Sequence, residues 1–175
     1  MRIVGGSRKG ARIFAPKGAS TRPTSDRVRE AIFGILGSVE GSSVLDLFAG
    51  SGGLGLEALS RGADQAVFVE SDPVAVKVIE RNLEKLGLEG ARVARSDVPW
   101  YLARETSRYD VVFLDPPYEM VESLRMPLAE HLPRVLAEGA SVVYETAAGV
   151  EPELPLPVRS TRRHGSTQLT VFDAP

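Results

Sequence analysis

Four acidic residues at the ends of apolar runs carry the chemical content of this sequence: Asp46 in "SVLDLF", Glu70 in "AVFVE", Asp97 in "RSD" and Asp115 in "FLDPPY". The last run closes on Asp115, Pro116, Pro117 and Tyr118. The Asp115 carboxylate and the Pro116 carbonyl are two acceptors that could hold both N–H bonds of an exocyclic amine. The two prolines stiffen the turn and bring no amide N–H to compete for those acceptors. Tyr118 offers a flat face on which an extruded base can stack. An amine nitrogen held in this way is drawn towards tetrahedral geometry and fixed for in-line attack on a methyl group. No general base is required, because the proton becomes acidic once the methyl is attached. Positioning would supply most of the gain, and well-oriented reactions draw roughly 7–11 kcal/mol from it.

The other three acids describe the donor. Gly50, Gly52 and Gly55 satisfy G-x-G-x-x-G between an expected strand and an expected helix, the context of a nucleotide-binding turn. Glycines there can also serve only to pack a helix on a strand. Glu70, twenty residues after Gly50, is placed to accept from both hydroxyls of a ribose; a solvated strand-end acid is the plain alternative. Asp46 precedes the glycine turn by four residues. A carboxylate there repels a pyrophosphate but suits the sulfonium and ammonium groups of S-adenosylmethionine, although a buried structural role is also open to it. Asp97, with Val98 alongside, can accept from an adenine amino group and can cap the following helix, and the two roles are compatible. A dehydrogenase using NAD(P) shares the glycine pattern, but it leaves Asp46 and "DPPY" without a role and lacks a strand-end histidine.

These residues need a scaffold that brings strand ends together. The runs 43–48, 66–70, 91–95, 110–115 and 141–146 read as strands, several of them apolar on nearly every residue, as parallel strands covered on both faces are. Helical patterns lie between them. In "DPVAVKVIERNLEKLG", Val76, Ile79, Leu83 and Leu86 share a face, Asp72 is the expected N-cap, Pro73 the first helical residue and Gly87 the stop. This alternation implies an open, doubly wound α/β sheet, whose ligands bind beyond the carboxyl ends of the strands. Ahead of it, "RIVGG…ARIF" reads as a hairpin turning at Gly5-Gly6, followed by a helix with Val28, Ile32, Ile35 and Leu36 inward. After it, "RSTRRHGSTQLTVF" reads as a closing antiparallel hairpin turning near Gly165. The division expected is a basic hairpin extension at 1–20 and one domain at 21–175.

Composition sets the remaining bounds. The 175 residues, 43% hydrophobic and 25% charged, fit an ordinary globular protein of the cytoplasm. No stretch approaches the length of a membrane span, and no apolar leader is visible. With no cysteine and only His131 and His164, no metal centre is expected. Residues 1–29 hold eight basic side chains against one acid, +7, which leaves −9 of the net −2 for the rest. Arg2, Arg8, Lys9, Arg12 and Lys17 in this arm are candidate RNA contacts, with a solvated basic surface as the alternative. An RNA-binding module without catalysis would need only this arm.

Together "RPTSDRVREAIF", "DLFAGSGGLGLEALSRG", "FVESDP", "RSD" and "FLDPPY" resemble the bacterial 16S ribosomal RNA guanine-N2 methyltransferases of the RsmD type. The likeness runs from "RIVGGSRKG" to "STQLTVF". It implies a Rossmann-like class I methyltransferase fold, with a seven-stranded, mostly parallel sheet and an antiparallel C-terminal hairpin. It also implies S-adenosylmethionine as donor, S-adenosylhomocysteine as product, and guanine 966 of 16S rRNA, in a 30S particle or assembly intermediate, as acceptor. By position, Asp46, Gly50 and Gly52 would line the methionine part of the cofactor, with Arg22 and Thr24 closing over it. Glu70 would hold the ribose and Asp97, with Val98 alongside, the adenine; Phe48 and Ser71 would also bind the cofactor, and Asp115, Pro116 and Tyr118 would handle the target base. The chain would act as a monomer. DNA adenine- or cytosine-amino methyltransferases share "DPPY" but usually carry a target-recognition segment for which little chain is left. A protein-glutamine methyltransferase would show Asn at 115.

Overall fold

Both faces of the central strands are apolar because helices cover both. In the computed structural model, which describes residues 1–16 and 25–175, the strands are β1 (Ser43–Leu47), β2 (Gln65–Glu70), β3 (Ala91–Arg95), β4 (Tyr109–Leu114), β5 (Leu136–Ala147), β6 (Val158–His164) and β7 (Thr167–Asp173). They form one sheet in the order β3-β2-β1-β4-β5-β7-β6. β1 to β5 are parallel, and β7 runs antiparallel to both β5 and β6. The helices are α1 (Asp26–Leu36), α2 (Gly53–Ser60), α3 (Pro73–Leu86), α4 (Val98–Arg104) and α5 (Val121–His131). On one face Val44, Phe68, Phe113 and Val143 pack with Ile32, Phe33, Leu56 and Ile79 of α1, α2 and α3. On the other, Leu45, Val69, Val112 and Tyr144 pack with Leu102, Leu124 and Leu128 of α4 and α5.

The chain leaves β1 towards β2 on one side, while β4 pairs on the other. The loops after β1 and β4 therefore diverge, and the crevice they leave is where an open α/β sheet takes its ligand. The local signals hold: Asp72 caps α3 by accepting from the Val74 amide, Pro73 opens it and Gly87 ends it in the left-handed region. The C-terminal hairpin turns at Gly165, as its sequence implied. β5 starts five residues earlier than the apolar run suggested, because Leu136 pairs with Tyr109 before a register shift brings Ser141 opposite Val111.

At the N-terminus the expected hairpin is reduced to one antiparallel bridge, Arg2 with Arg12, and the chain turns through a 3₁₀ segment at Gly6–Arg8 rather than at Gly5-Gly6. The two glycines serve contact with the body: a Cβ on Gly6 would lie 1.8 Å from the Ser60 carbonyl oxygen. The Ser60 hydroxyl donates to the Gly5 carbonyl and accepts from the Arg8 amide. Among the described residues, no helix is long and apolar enough to cross a membrane.

Candidate active site

The sheet's parity and register bring three of the four acids together. Asp46, Glu70 and Asp115 fall at the parity of Val44, Phe68 and Phe113, on the face covered by α1, α2 and α3. Asp46 is buried and accepts the Gly55 amide at 2.9 Å. Burial pushes its carboxyl well above the ordinary carboxylate range, the Asp115 and Glu70 charges add to this, and the Gly55 amide opposes it. A cation beside Asp46 would relieve all three penalties.

The glycine turn is shaped from both sides. Gly50 and Gly52 have φ of 55° and 81°, a region open to glycine at little cost, and Gly52 caps α2. Phe48 also has a positive φ, 64°. A non-glycine residue in that region costs on the order of 1–3 kcal/mol, strain typical of functional loops. Gly55 answers a packing need, since its Cβ would lie 2.3 Å from the Phe68 ring. The first two glycines thus shape the crevice and the third lets α2 close on the sheet.

Glu70 ties this turn to the next one: one carboxylate oxygen accepts the Gly50 amide at 2.8 Å, the other the Asp72 amide at 2.9 Å. Each oxygen keeps acceptor capacity for a further donor. Ser71 is exposed beside it. Asp97 caps α4 through one oxygen, which accepts the Trp100 amide at 2.8 Å, and Val98 is buried at the first helical position. Among the described residues Asp46, Glu70 and Asp97 have no salt bridge. A ligand with a cationic end, a ribose and an adenine fits this row of carboxylates along the ends of β1, β2 and β3. S-adenosylmethionine has that composition, whereas a pyrophosphate would meet Asp46.

Asp115 follows β4 directly, and its charge reaches Asp46. Pro116 is buried, and its carbonyl accepts no hydrogen bond among the described residues, whereas the Pro117 carbonyl takes the Met120 amide at 2.9 Å. The ring of Tyr118 stands 50% exposed on a 3₁₀ turn. The geometry therefore offers two acceptors and an open aromatic face beside the donor crevice. Arg22 and Thr24, assigned to the cofactor's methionine end, and Lys17 lie outside the described residues.

The basic arm is partly committed to the protein itself. Arg8 donates to the Leu86 carbonyl at 2.5 Å and the Gly87 carbonyl at 3.3 Å, closing the C-terminus of α3. Arg2 pairs with Asp26 at 2.9 Å. Lys9 and Arg12 are exposed, with no ion pair among the described residues.

Two supports escaped the sequence reading. Asn82, fully buried on α3, donates to the Ser51 carbonyl of the glycine turn and to the Phe14 carbonyl, and accepts the Phe14 amide at 2.7 Å. Glu57, fully buried on α2, accepts from the Val4 amide and from Arg61, both at 2.8 Å, with Arg29 at 4.0 Å. Polar residues on the inward stripe of α2 and α3 were the only available signal.

The chain matches the family described as "Conserved hypothetical protein 95" over residues 1–173. YlbH of Bacillus subtilis (strain 168) is 39% identical over 182 residues, covering 98% of each chain. "Ribosomal RNA small subunit methyltransferase D" of Escherichia coli (strain K12) is 37% identical over 155 residues, 88% of this chain and 75% of that one. An RNA methyltransferase from Salinibacter ruber, solved in complex with S-adenosyl-L-homocysteine, shares the fold at a TM-score of 0.68 and 23% identity, over 88% of this chain and 94% of that chain.

Proposed function

As a member of the family described as "Conserved hypothetical protein 95", with the fold and S-adenosylmethionine dependence of class I methyltransferases, this chain, we propose, methylates the N2 amine of a guanine in 16S ribosomal RNA. Ribosomal RNA methylation follows from the family; the N2 atom and guanine 966 are the finer part of the reading. The observation that carries it is the acceptor pair at Asp115 and Pro116, one step beyond β4 and beside the crevice that Asp46 lines.

Bound S-adenosylmethionine supplies an electrophilic methyl group and its own leaving group. Asp46 stabilises positive charge at the methionine end, Glu70 accepts from the ribose and Asp97 from the adenine. Phe48, Gly50, Gly52, Ser71 and Val98 shape the walls, and Arg22 and Thr24 close the methionine end. Asp115 and the Pro116 carbonyl hold the two amine N–H bonds, so the nitrogen lone pair points at the donor. Tyr118 stacks the base once it is extruded from its RNA surroundings. Lys9 and Arg12, with Lys17, contribute positive charge towards RNA from the arm at 1–20, while the domain at 21–175 carries the chemistry. The enzyme works as a monomer on a 30S particle or assembly intermediate, in the cytoplasm.

Tritiated-methyl transfer to 30S particles from a strain lacking this gene, followed by nucleoside mass spectrometry, tests the reading. The expected product is N2-methylguanosine at one site. Label in adenine or cytosine, or no label in RNA, overturns it.

A further inference from the structure

The strand directions put the unpaired positive charge of the C-terminal hairpin at the catalytic end of the sheet. From Pro155 to Phe172 the chain has Arg159, Arg162, Arg163 and His164 and no acid, in a body that is otherwise net negative. β7 is antiparallel to β5 and β6 antiparallel to β7, so β6 finishes at the same edge as β4 and β5. Leu114 lies opposite Tyr144, Tyr144 opposite Thr170, and Thr170 opposite Thr161. Arg162 is thus one position beyond that row, level with Asp115. β6 stands three strands from β4, about 14 Å at the usual spacing.

Arg159, at the far end of β6, is held by Asp173. The Arg162 side chain is exposed and makes no hydrogen bond or ion pair among the described residues, and the Arg163 side chain donates to the Gly165 carbonyl of its own turn. The acids facing this region are Glu145, buried on β5, Glu153, paired with Arg125, and exposed Glu151.

The N-terminal arm presents the opposite case. α2 and α3 begin at the crevice and run back to the other end of the sheet. Arg8 sits on the last residues of α3, about 21 Å from the start of that 14-residue helix. Its guanidinium is spent on helix carbonyls.

We propose that Arg162 and Arg163 form an RNA-phosphate contact that seats the strand flanking the target nucleotide, about 14 Å from Asp115. This rests on the rRNA reading above and specifies its docking surface. Charge complementarity selects the occupant: Arg162, whose side chain has no partner among the described residues, and Arg163, tied only to its own turn, leave opposite faces of an exposed edge strand, level with the acceptor pair, and match a polyanion that runs along this edge and sends a neighbouring nucleotide into the crevice. Charged edge residues also discourage strand pairing between molecules, and that role alone predicts no coupling to RNA.

Binding to 30S particles from the deletion strain, measured across a KCl series in the presence of S-adenosylhomocysteine, separates the two. Arg162→Gln/Arg163→Gln, which keeps the edge polar, should weaken binding and lower the slope of log affinity against log salt by about 1.4, at 0.7 per phosphate contact on a single strand. Cofactor affinity should be unchanged, and Arg162→Lys/Arg163→Lys should restore most of the slope. Wild-type transfer to 30S particles with an unaltered slope in the glutamine variant overturns this inference alone. A wild-type enzyme that transfers no methyl to RNA overturns the rRNA reading, and this inference with it.

Discussion

Asp46 and Gly55 are joined by a buried hydrogen bond in which the α2 amide donates to the carboxylate at 2.9 Å. That bond ties the carboxylate to the first turn of α2 but does not offset its burial, so the folded protein holds Asp46 at a pKa well above its ordinary value. A raised carboxyl pKa favours the protonated native state. The stability is full below the unfolded pKa and is lost as pH rises through the folded one. Asp46→Asn should therefore stabilise the ligand-free protein at pH 7, by about 2–4 °C in Tm for each 1 kcal/mol relieved, with the difference vanishing near pH 4. Calorimetry at the two pH values decides. A variant less stable than the parent at pH 7 would make Asp46 a structural residue.

Cofactor affinity should carry the same signature. A cationic ligand binds the ionised Asp46 carboxylate, so below the raised pKa binding must release a proton. Affinity then falls as pH drops through the raised pKa of Asp46, and the Asp46→Asn variant, weaker above that pKa, has the flatter profile. Calorimetric titration in buffers of different ionisation enthalpy reads the released proton directly. Equal slopes in the two proteins would exclude Asp46 from the cation's site.

Glu70 holds two loops at once, through the Gly50 and Asp72 amides. Glu70→Ala should weaken cofactor binding by about 1.5–3 kcal/mol, the scale of a lost charge-assisted hydrogen bond. Tm should also fall, because two amides lose their acceptor. A Tm loss with intact cofactor affinity would leave Glu70 a loop tie and nothing more.

These three acids were legible because strand ends are. Parallel strands buried on both faces read as apolar runs, and Asp46, Glu70 and Asp115 mark where the runs meet the crevice. The caps at Asp72 and Asp97 were equally visible, as they depend on residues two or three positions away. Arg29 was not. It counts as one more charge in a basic arm, yet it is fully buried, pairs with Asp26 at 2.7 Å and faces Glu57, 28 residues on. Arg8 likewise reads as a polyanion contact and instead closes α3. Charge along a chain reports composition, and its partner is set by tertiary packing that no local period encodes.

Asp115 acts on the acceptor, so its effects should separate from those of Asp46 and Glu70. Asp115→Ala should lower methyl transfer by about 10²-fold or more, the cost of a misplaced reacting group, while cofactor affinity shifts little. Single-turnover transfer and a binding titration on the same sample measure both. An Asp115→Ala enzyme that retains full activity would remove the amine-gripping role.

Glu57 joins the N-terminal segment to the sheet's helical layer, since it accepts from the Val4 amide and from Arg61 and faces Arg29. Removing one member of a buried ion pair leaves its partner charged and desolvated, a loss of about 3–5 kcal/mol. Glu57→Ala should therefore lower Tm by roughly 6–20 °C, at about 2–4 °C per kcal/mol for a chain of this size. Because Val4 loses its acceptor as well, amide exchange should speed up over residues 1–16 before it does in β1 or β4. Replacing Arg29 and Glu57 together by methionine should recover part of the loss, since the buried guanidinium that Glu57 helped to balance is then removed with it, although Asp26 loses its Arg29 partner. A double variant no more stable than Glu57→Ala would assign the loss to the Val4 and Arg61 bonds rather than to the buried charge.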